Sequence, residues 1–163
     1  MRPAISPGGA AAPHLIVLGV DLRWHDRAFG ELAAAELYAI LALRARVFVV
    51  EQACVYLDAD GVDPVCRHLW AAGEAIVAYL RVIPAGVDYN EVALGRIVIA
   101  PEARGSGLGR TLVRRGLEAV GRVPVRISAQ AHLERFYLEL GFRPASDVYL
   151  EDGIAHLEML RTP

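Results

Sequence analysis

Residues 92–128 hold a strand pattern, a glycine-rich turn, a helix pattern and a second strand pattern in immediate succession. The apolar run 92–100 is closed by Pro101, and the turn is Arg104-Gly105-Ser106-Gly107-Leu108-Gly109. Leu112, Val113, Leu117 and Val120 then fall on one side of a helix, and Val125 and Ile127 alternate with Arg126 and Ser128. Strand, helix, strand in that order implies a parallel crossover.

The flanks read differently. Residues 33–50 carry Leu37, Ile40, Leu41, Val47 and Phe48 at the spacing of a core-facing helix, interrupted by Arg44 and Arg46. Residues 57–64, rich in Asp and Gly, read as a loop. Residues 69–72 and 75–83 form two strands turned at Gly73 and Glu74. Leu133, Phe136, Tyr137 and Leu140 occupy positions i, i+3, i+4 and i+7 of another helix, stopped by Gly141. Strands over 142–150 and 154–160 close the chain around Glu151, Asp152 and Gly153. Antiparallel hairpins on either side of a parallel pair give a mixed α/β sheet. Residues 1–20 read as a flexible tail containing an extra strand at 15–20, and residues 21–163 as one domain.

At 163 residues the chain buries roughly two-thirds of its unfolded surface without metals or disulfides. An apolar content of 55% excludes a disordered chain, and a net charge of -2 argues against a nucleic-acid partner. The sequence contains no lysine, so a phosphate-loop lysine, a Schiff-base lysine and a lysine base are all impossible. Cys54 and Cys66 have neither the spacing nor the partners of a zinc or redox site, which leaves no metal and points to reduced thiols in the cytoplasm. The apolar run near the start is too short for a signal peptide, and no stretch reaches the length of a membrane span.

The glycine turn carries the chemistry. It opens a helix, so its backbone N–H groups and the helix dipole favour an anion, and its glycines let a diphosphate approach the main chain. Arg110 stands where the dinucleotide fingerprint needs its third glycine, and the Walker lysine is absent. The pattern that fits is [Gln/Arg]-x-x-Gly-x-[Gly/Ala], met by Arg104, Gly107 and Gly109. Here the chain resembles the GNAT superfamily of N-acetyltransferases. Phe136-Tyr137-Leu138-Glu139-Leu140-Gly141-Phe142 is similar to that family's closing element. Leu43-Arg44, residues 47–52, Asp60-Gly61, His68-Leu69, residues 129–133 and Glu151-Asp152-Gly153-Ile154 with His156 resemble its ElaA-type branch. The resemblance covers residues 24–160.

It implies a largely antiparallel sheet with a central parallel pair splayed into a V and flanked by helices. Acetyl-CoA would lie in the V between residues 92–100 and 125–128. The strand segment Ile97, Val98 and Ile99 would border the pantetheine arm, with backbone pairing at Ile97 and Ile99. The diphosphate would meet N–H groups of Gly105, Ser106, Gly107, Leu108, Gly109 and Arg110, with Arg104 shaping the turn. Gln130 stands where many members carry an Asn that contacts the cofactor. Direct transfer to a primary amine of a small molecule or peptide is the implied reaction, with Tyr137 as the acid that protonates the leaving thiolate. Tyr137 also fits an apolar helix stripe as a plain core aromatic.

Glu51 and His68 are the candidate bases, against structural readings of both; His132 and His156 read as structural, with all three histidines able to border the acceptor pocket. Arg110 and Arg114 share a helix face with Glu118, the pattern of a surface pair. Asp58, Asp60, Gly61 and Asp63 fail as a calcium loop because Tyr56 and Arg67 would fill its first and twelfth positions. They read as a solvated turn, or as an attractant for a cationic amine. The competing function is a non-catalytic acyl-CoA-binding or sensing module. Neither nucleic acid nor membrane is expected as a partner, and a homodimer is left open.

Overall fold

The computed structural model describes residues 15–17 and 20–163, so most of the expected tail lies outside the described residues. Alternation along one strand, β4 (Ile76–Ile83), decides the layering: Ala78, Leu80 and Val82 enter one core and Tyr79 the opposite one. Both faces of the sheet are therefore covered.

The strands are β1 (Leu15–Val17), β2 (Val20–Ala28), β3 (Arg67–Ala72), β4, β5 (Val92–Ile99), β6 (Val125–Gln130), β7 (Arg143–Pro144), β8 (Tyr149–Glu151) and β9 (Ile154–Arg161). They run in the order β1-β2-β3-β4-β5-β6-β9-β7, with β8 also pairing β9. Every pairing is antiparallel except β5 with β6. Helix α2 (Leu108–Val120) covers one face, setting Leu112 and Val113 against Leu80, Leu94, Ile127 and Met159. Gly116 permits that approach, since a Cβ there would come within 2.9 Å of Leu80. Helix α1 (Ala34–Arg44) covers the other face, packing Ile40 and Leu43 with Trp70, Tyr79 and Val98. A short helix, α3 (Glu134–Leu138), follows β6 through a 3-10 turn at Ala131–Leu133.

The mixed sheet with its central parallel pair matches the expectation, while three elements differ. Strand β2 lies mostly in a stretch, 21–28, for which the sequence reading assigns no element, and it pairs along the outer edge of β3. The long first helix changes winding after Arg44 into a π-helix, Ala45–Glu51, where Gln52 N–H reaches the Val47 carbonyl at 3.1 Å. The strand expected over 142–150 is split into β7 and β8. Pro144 lacks a ladder donor, and the Ser146 hydroxyl accepts the Glu158 N–H at 2.9 Å.

The Asp-rich loop is not solvated, which corrects the sequence reading. Asp58 and Asp63 are buried among arginines from three elements. Arg44, fully buried, donates to Asp58 Oδ2 and Asp63 Oδ1, both at 2.8 Å. Arg81 on β4 donates to Asp63 Oδ1 at 2.9 Å and to both oxygens of Asp60. Burial would raise the Asp60 carboxyl, but hydrogen bonds from Arg81 and the Val62 N–H, with the charges of Arg81 and Arg96, hold it at about 2. The same balance, struck by Arg44 and Arg81, puts Asp63 below its ordinary value.

Two outcomes follow from this network. Arg44→Met leaves an uncompensated buried negative charge and is expected to lower the urea-unfolding free energy by about 3–5 kcal/mol. Depressed carboxyl values mean that the stabilisation is complete above the unfolded-state value near 4 and is lost as pH falls toward 2. Urea midpoints measured from pH 6 to pH 2 should therefore drop mainly below pH 4.

Candidate functional site

Among the described residues one junction is parallel, and it is brief. β5 and β6 pair only at Val92 with Val125 and Ala93 with Arg126, after which they part. Ala100 donates its N–H to the Val77 carbonyl on β4, so neighbouring Ile99 turns its backbone groups to the other edge. Arg104 Nε reaches the Ile99 carbonyl there at 3.3 Å. A cavity of about 1240 Å³ occupies the opening.

A bulge in β5 contributes to its wall. Tyr79 faces Val98 and Arg81 faces Gly95, so Arg96 and Ile97 together oppose Leu80. Arg96 sits at φ 51, a left-handed conformation that costs an L-residue about 1–2 kcal/mol. Its side chain explains why it stays: Nε donates to Asp58 Oδ1 at 2.7 Å, Nη2 to Asp60 Oδ2 at 3.1 Å, and the guanidinium lies over the Tyr56 ring. Arg96 was not singled out from the sequence, although it is the one charged residue in the run 92–100.

The glycine turn forms another wall. Gly105 and Gly107 adopt φ 76 and 82, and Gly107 starts α2 without a side-chain cap. The first N–H groups of a helix lack intrahelical acceptors, so this end offers free donors. Gly105, Gly107, Leu108, Gly109 and Arg110 line the cavity, as do Ile97, Val98, Ile99, Arg104 and Gln130. Ser106 does not: its hydroxyl donates to the Ala103 carbonyl at 2.7 Å and accepts from Leu108 N–H, which braces the turn. Arg110 pairs with Glu139 at 2.6 Å rather than with Glu118. Tyr137 also lines the cavity, wedged edge-on between Phe136 and Phe142, and burial pushes its phenol well above the ordinary value.

The two candidate bases separate. Glu51 reaches the cavity, but its oxygens accept from Arg104 Nη1 and Nη2 at 2.8 and 3.1 Å, which ties the π-helix to the turn. His68 is not at the site, a correction of the sequence reading. It is fully buried, with Nδ1 2.8 Å from the Tyr79 hydroxyl and Nε2 3.1 Å from the Asp63 carbonyl. Burial lowers its pKa, and both ring nitrogens are occupied.

Opposite the turn, Ser128, Gln130, Glu151, Asp152 and His156 complete the lining. Gln130 Nε2 donates to Gln52 Oε1 at 3.3 Å across the opening, and the Ser128 hydroxyl lies 2.6 Å from that of Tyr149. Glu151, Asp152 and His156 entered the sequence reading only as motif residues with no role assigned, because only the hairpin register brings them beside β6.

A sheet parted at its single parallel junction, beside a helix that begins on left-handed glycines, defines the class: an acyltransferase of the GNAT fold. The family model described as "Acetyltransferase (GNAT) domain" matches residues 66–162. ElaA of Escherichia coli K12 is 41% identical over 148 residues, covering 86% of this chain and 96% of that protein. The crystal structure of Escherichia coli ElaA superposes with a TM-score of 0.81 over 86% of this chain and 99% of that one. An acyl-CoA N-acyltransferase from Pseudomonas aeruginosa is 42% identical, with a TM-score of 0.81 and the same coverage. The chain belongs to the GNAT acetyltransferase family and is similar to ElaA.

The bulge generates a test. Arg96→Gly and Arg96→Ala remove the same ion pairs, but only glycine accepts φ 51 without strain. The Gly variant should be the more stable by about 1 kcal/mol in thermal melts. Equal melting would show that the bulge relaxes once the side chain is gone.

Proposed function

We propose that the protein transfers the acetyl group of acetyl-CoA to the amine of a small-molecule or peptide acceptor. The observation that carries this reading is one cavity lined both by the start of α2, where N–H groups lack intrahelical acceptors, and by the buried Tyr137. A Cβ built on Gly105 or Gly107 meets nothing within 4 Å, which leaves room for a diphosphate against the main chain. When bound, acetyl-CoA supplies an acetyl group activated as a thioester.

The chain's own groups divide the remaining work. N–H groups of Gly105, Gly107, Gly109 and Arg110 hold the diphosphate, Ser106 and Arg104 keep the turn in place, and the backbone of Ile97 and Ile99 aligns the pantetheine arm. Gln130 faces the same arm from β6. Because burial raises the Tyr137 phenol well above its ordinary value, its hydroxyl stays protonated near neutral pH and is available as a hydrogen-bond donor. It meets negative charge as that charge develops on the departing sulfur, an effect confined to the transition state. A module that only binds acyl-CoA has no use for such a donor.

Three measurements test the reading. Acetyl-CoA at a hundred times its dissociation constant should stabilise the fold by about 2.7 kcal/mol, and NAD should do much less. An equal effect of NAD would refute the assignment of the turn. Gly107→Val fills the space left for the diphosphate and strains the backbone, so acetyl-CoA affinity should collapse in a protein that still folds. Tyr137→Phe keeps the ring and its packing, so binding should persist while turnover falls on the order of 10²-fold. Unchanged turnover at saturating acetyl-CoA, with chemistry rate-limiting, would remove Tyr137 from the mechanism.

A further inference from the structure

With His68 buried elsewhere and Glu51 held by Arg104, the acceptor amine still needs a group to take its proton. Strand register narrows the choice. His156 stands directly opposite Gln130 on β6 and opposite Tyr149 on β8. Directly paired residues share a sheet face, so His156, Gln130 and Tyr149 project together, and by period two Ser128 joins them. This is the strand end at which β5 and β6 have already parted, and His156 lines the cavity.

The ring's tautomer follows from one contact. His156 Nδ1 lies 2.8 Å from the Ile154 carbonyl, an acceptor only, so Nδ1 carries the proton and donates it. The lone pair of the neutral ring is therefore on Nε2, which has no hydrogen-bond partner among the described residues. Tyr149 stacks on the ring at 6.2 Å between centroids and is itself held by the Ser128 hydroxyl, so the imidazole is fixed in orientation as well as tautomer. The charged and titratable groups around it are Tyr149 and Glu151 from β8, Asp152 from the turn, Glu158 on its own strand, and Glu51 and His132 across the cavity.

We infer that His156 is the general base of the transfer, accepting the amine proton at Nε2. The inference rests on the acetyltransferase reading above. An acceptor ammonium gives one proton to Nε2, and the freed lone pair forms the C–N bond as the C–S bond breaks. The second proton leaving nitrogen replaces the one that Tyr137 donates to sulfur, and His156 releases its proton to solvent.

The test uses amines that differ in how much help they need. Trifluoroethylamine is already neutral near pH 7, benzylamine is mostly charged, and ethylamine almost wholly so. The wild-type chain and His156→Gln are compared with all three at saturating acetyl-CoA, by release of CoA thiol. Loss of a general base should lower kcat/KM for ethylamine on the order of 10²-fold, with a smaller loss for benzylamine and less than about threefold for trifluoroethylamine. The thermal shift with acetyl-CoA should be unchanged. A merely structural histidine predicts the same loss for all three amines, and that result, or no loss at all, overturns the assignment. A wild-type chain that releases thiol with none of the amines overturns the amine-transfer reading, and His156 as its base falls with it.

Discussion

Three arginines and three aspartates, locked together beside the sheet, fix the geometry on which the rest of the site depends. Arg44 comes from α1, Arg81 from β4 and Arg96 from the β5 bulge, while Asp58, Asp60 and Asp63 all come from one loop. The charges cancel as a set, and removing any one member leaves a partly buried charge unpaired. The loop is thus confined to one position relative to three elements. Because Tyr56, Leu57 and Asp60 line the cavity, fixing the loop also fixes one of its walls.

Two kinds of chemistry divide the cavity. The half beside α2 is built from backbone: left-handed glycines, the start of a helix and the free edge of β5. Such a surface presents N–H donors and a strand edge with no need for particular side chains. The other half is built from side chains on β6, β8 and β9, where Ser128, Gln130, Tyr149 and His156 share one face. A backbone surface is tied to the fold itself, whereas a side-chain surface can be altered without disturbing the fold.

That division also explains what the sequence disclosed. The crossover, the turn and helix α2 were legible because they depend on local features, namely apolar period, Pro101 and glycines at positive φ. The Asp-rich loop was misread because its burial depends on Arg44, Arg81 and Arg96, between 14 and 38 residues away from the carboxylates they meet. His68 was misplaced for the same reason, since its partner Tyr79 lies across a strand pair. Strand β2 did carry a signal, Val20, Leu22 and Trp24 alternating with Asp21, Arg23 and His25, and it went unread beside the apolar run before it. Of the ElaA-type motifs, residues 47–52, 129–133 and 151–156 contribute to one cavity while Leu43-Arg44 and His68-Leu69 do not, and only the hairpin register showed which of the lining residues face each other.

The width of the opening between β5 and β6 has its own cause. No ladder of hydrogen bonds sets it, because the two strands pair over two residues only. Consecutive residues near the end of the π-helix reach to opposite arms instead: Glu51 holds Arg104, which also grips the Ile99 carbonyl at the end of β5, and Gln52 accepts from Gln130 at the end of β6. A regular α-helix turns 100° per residue, and the wider winding after Arg44 changes where successive side chains point at the mouth of the cavity. The Arg104–Glu51 pair is solvent-exposed and contributes little to stability. Its consequence is geometric, since with the Gln52–Gln130 contact it joins the glycine turn to β6 through one short segment of chain.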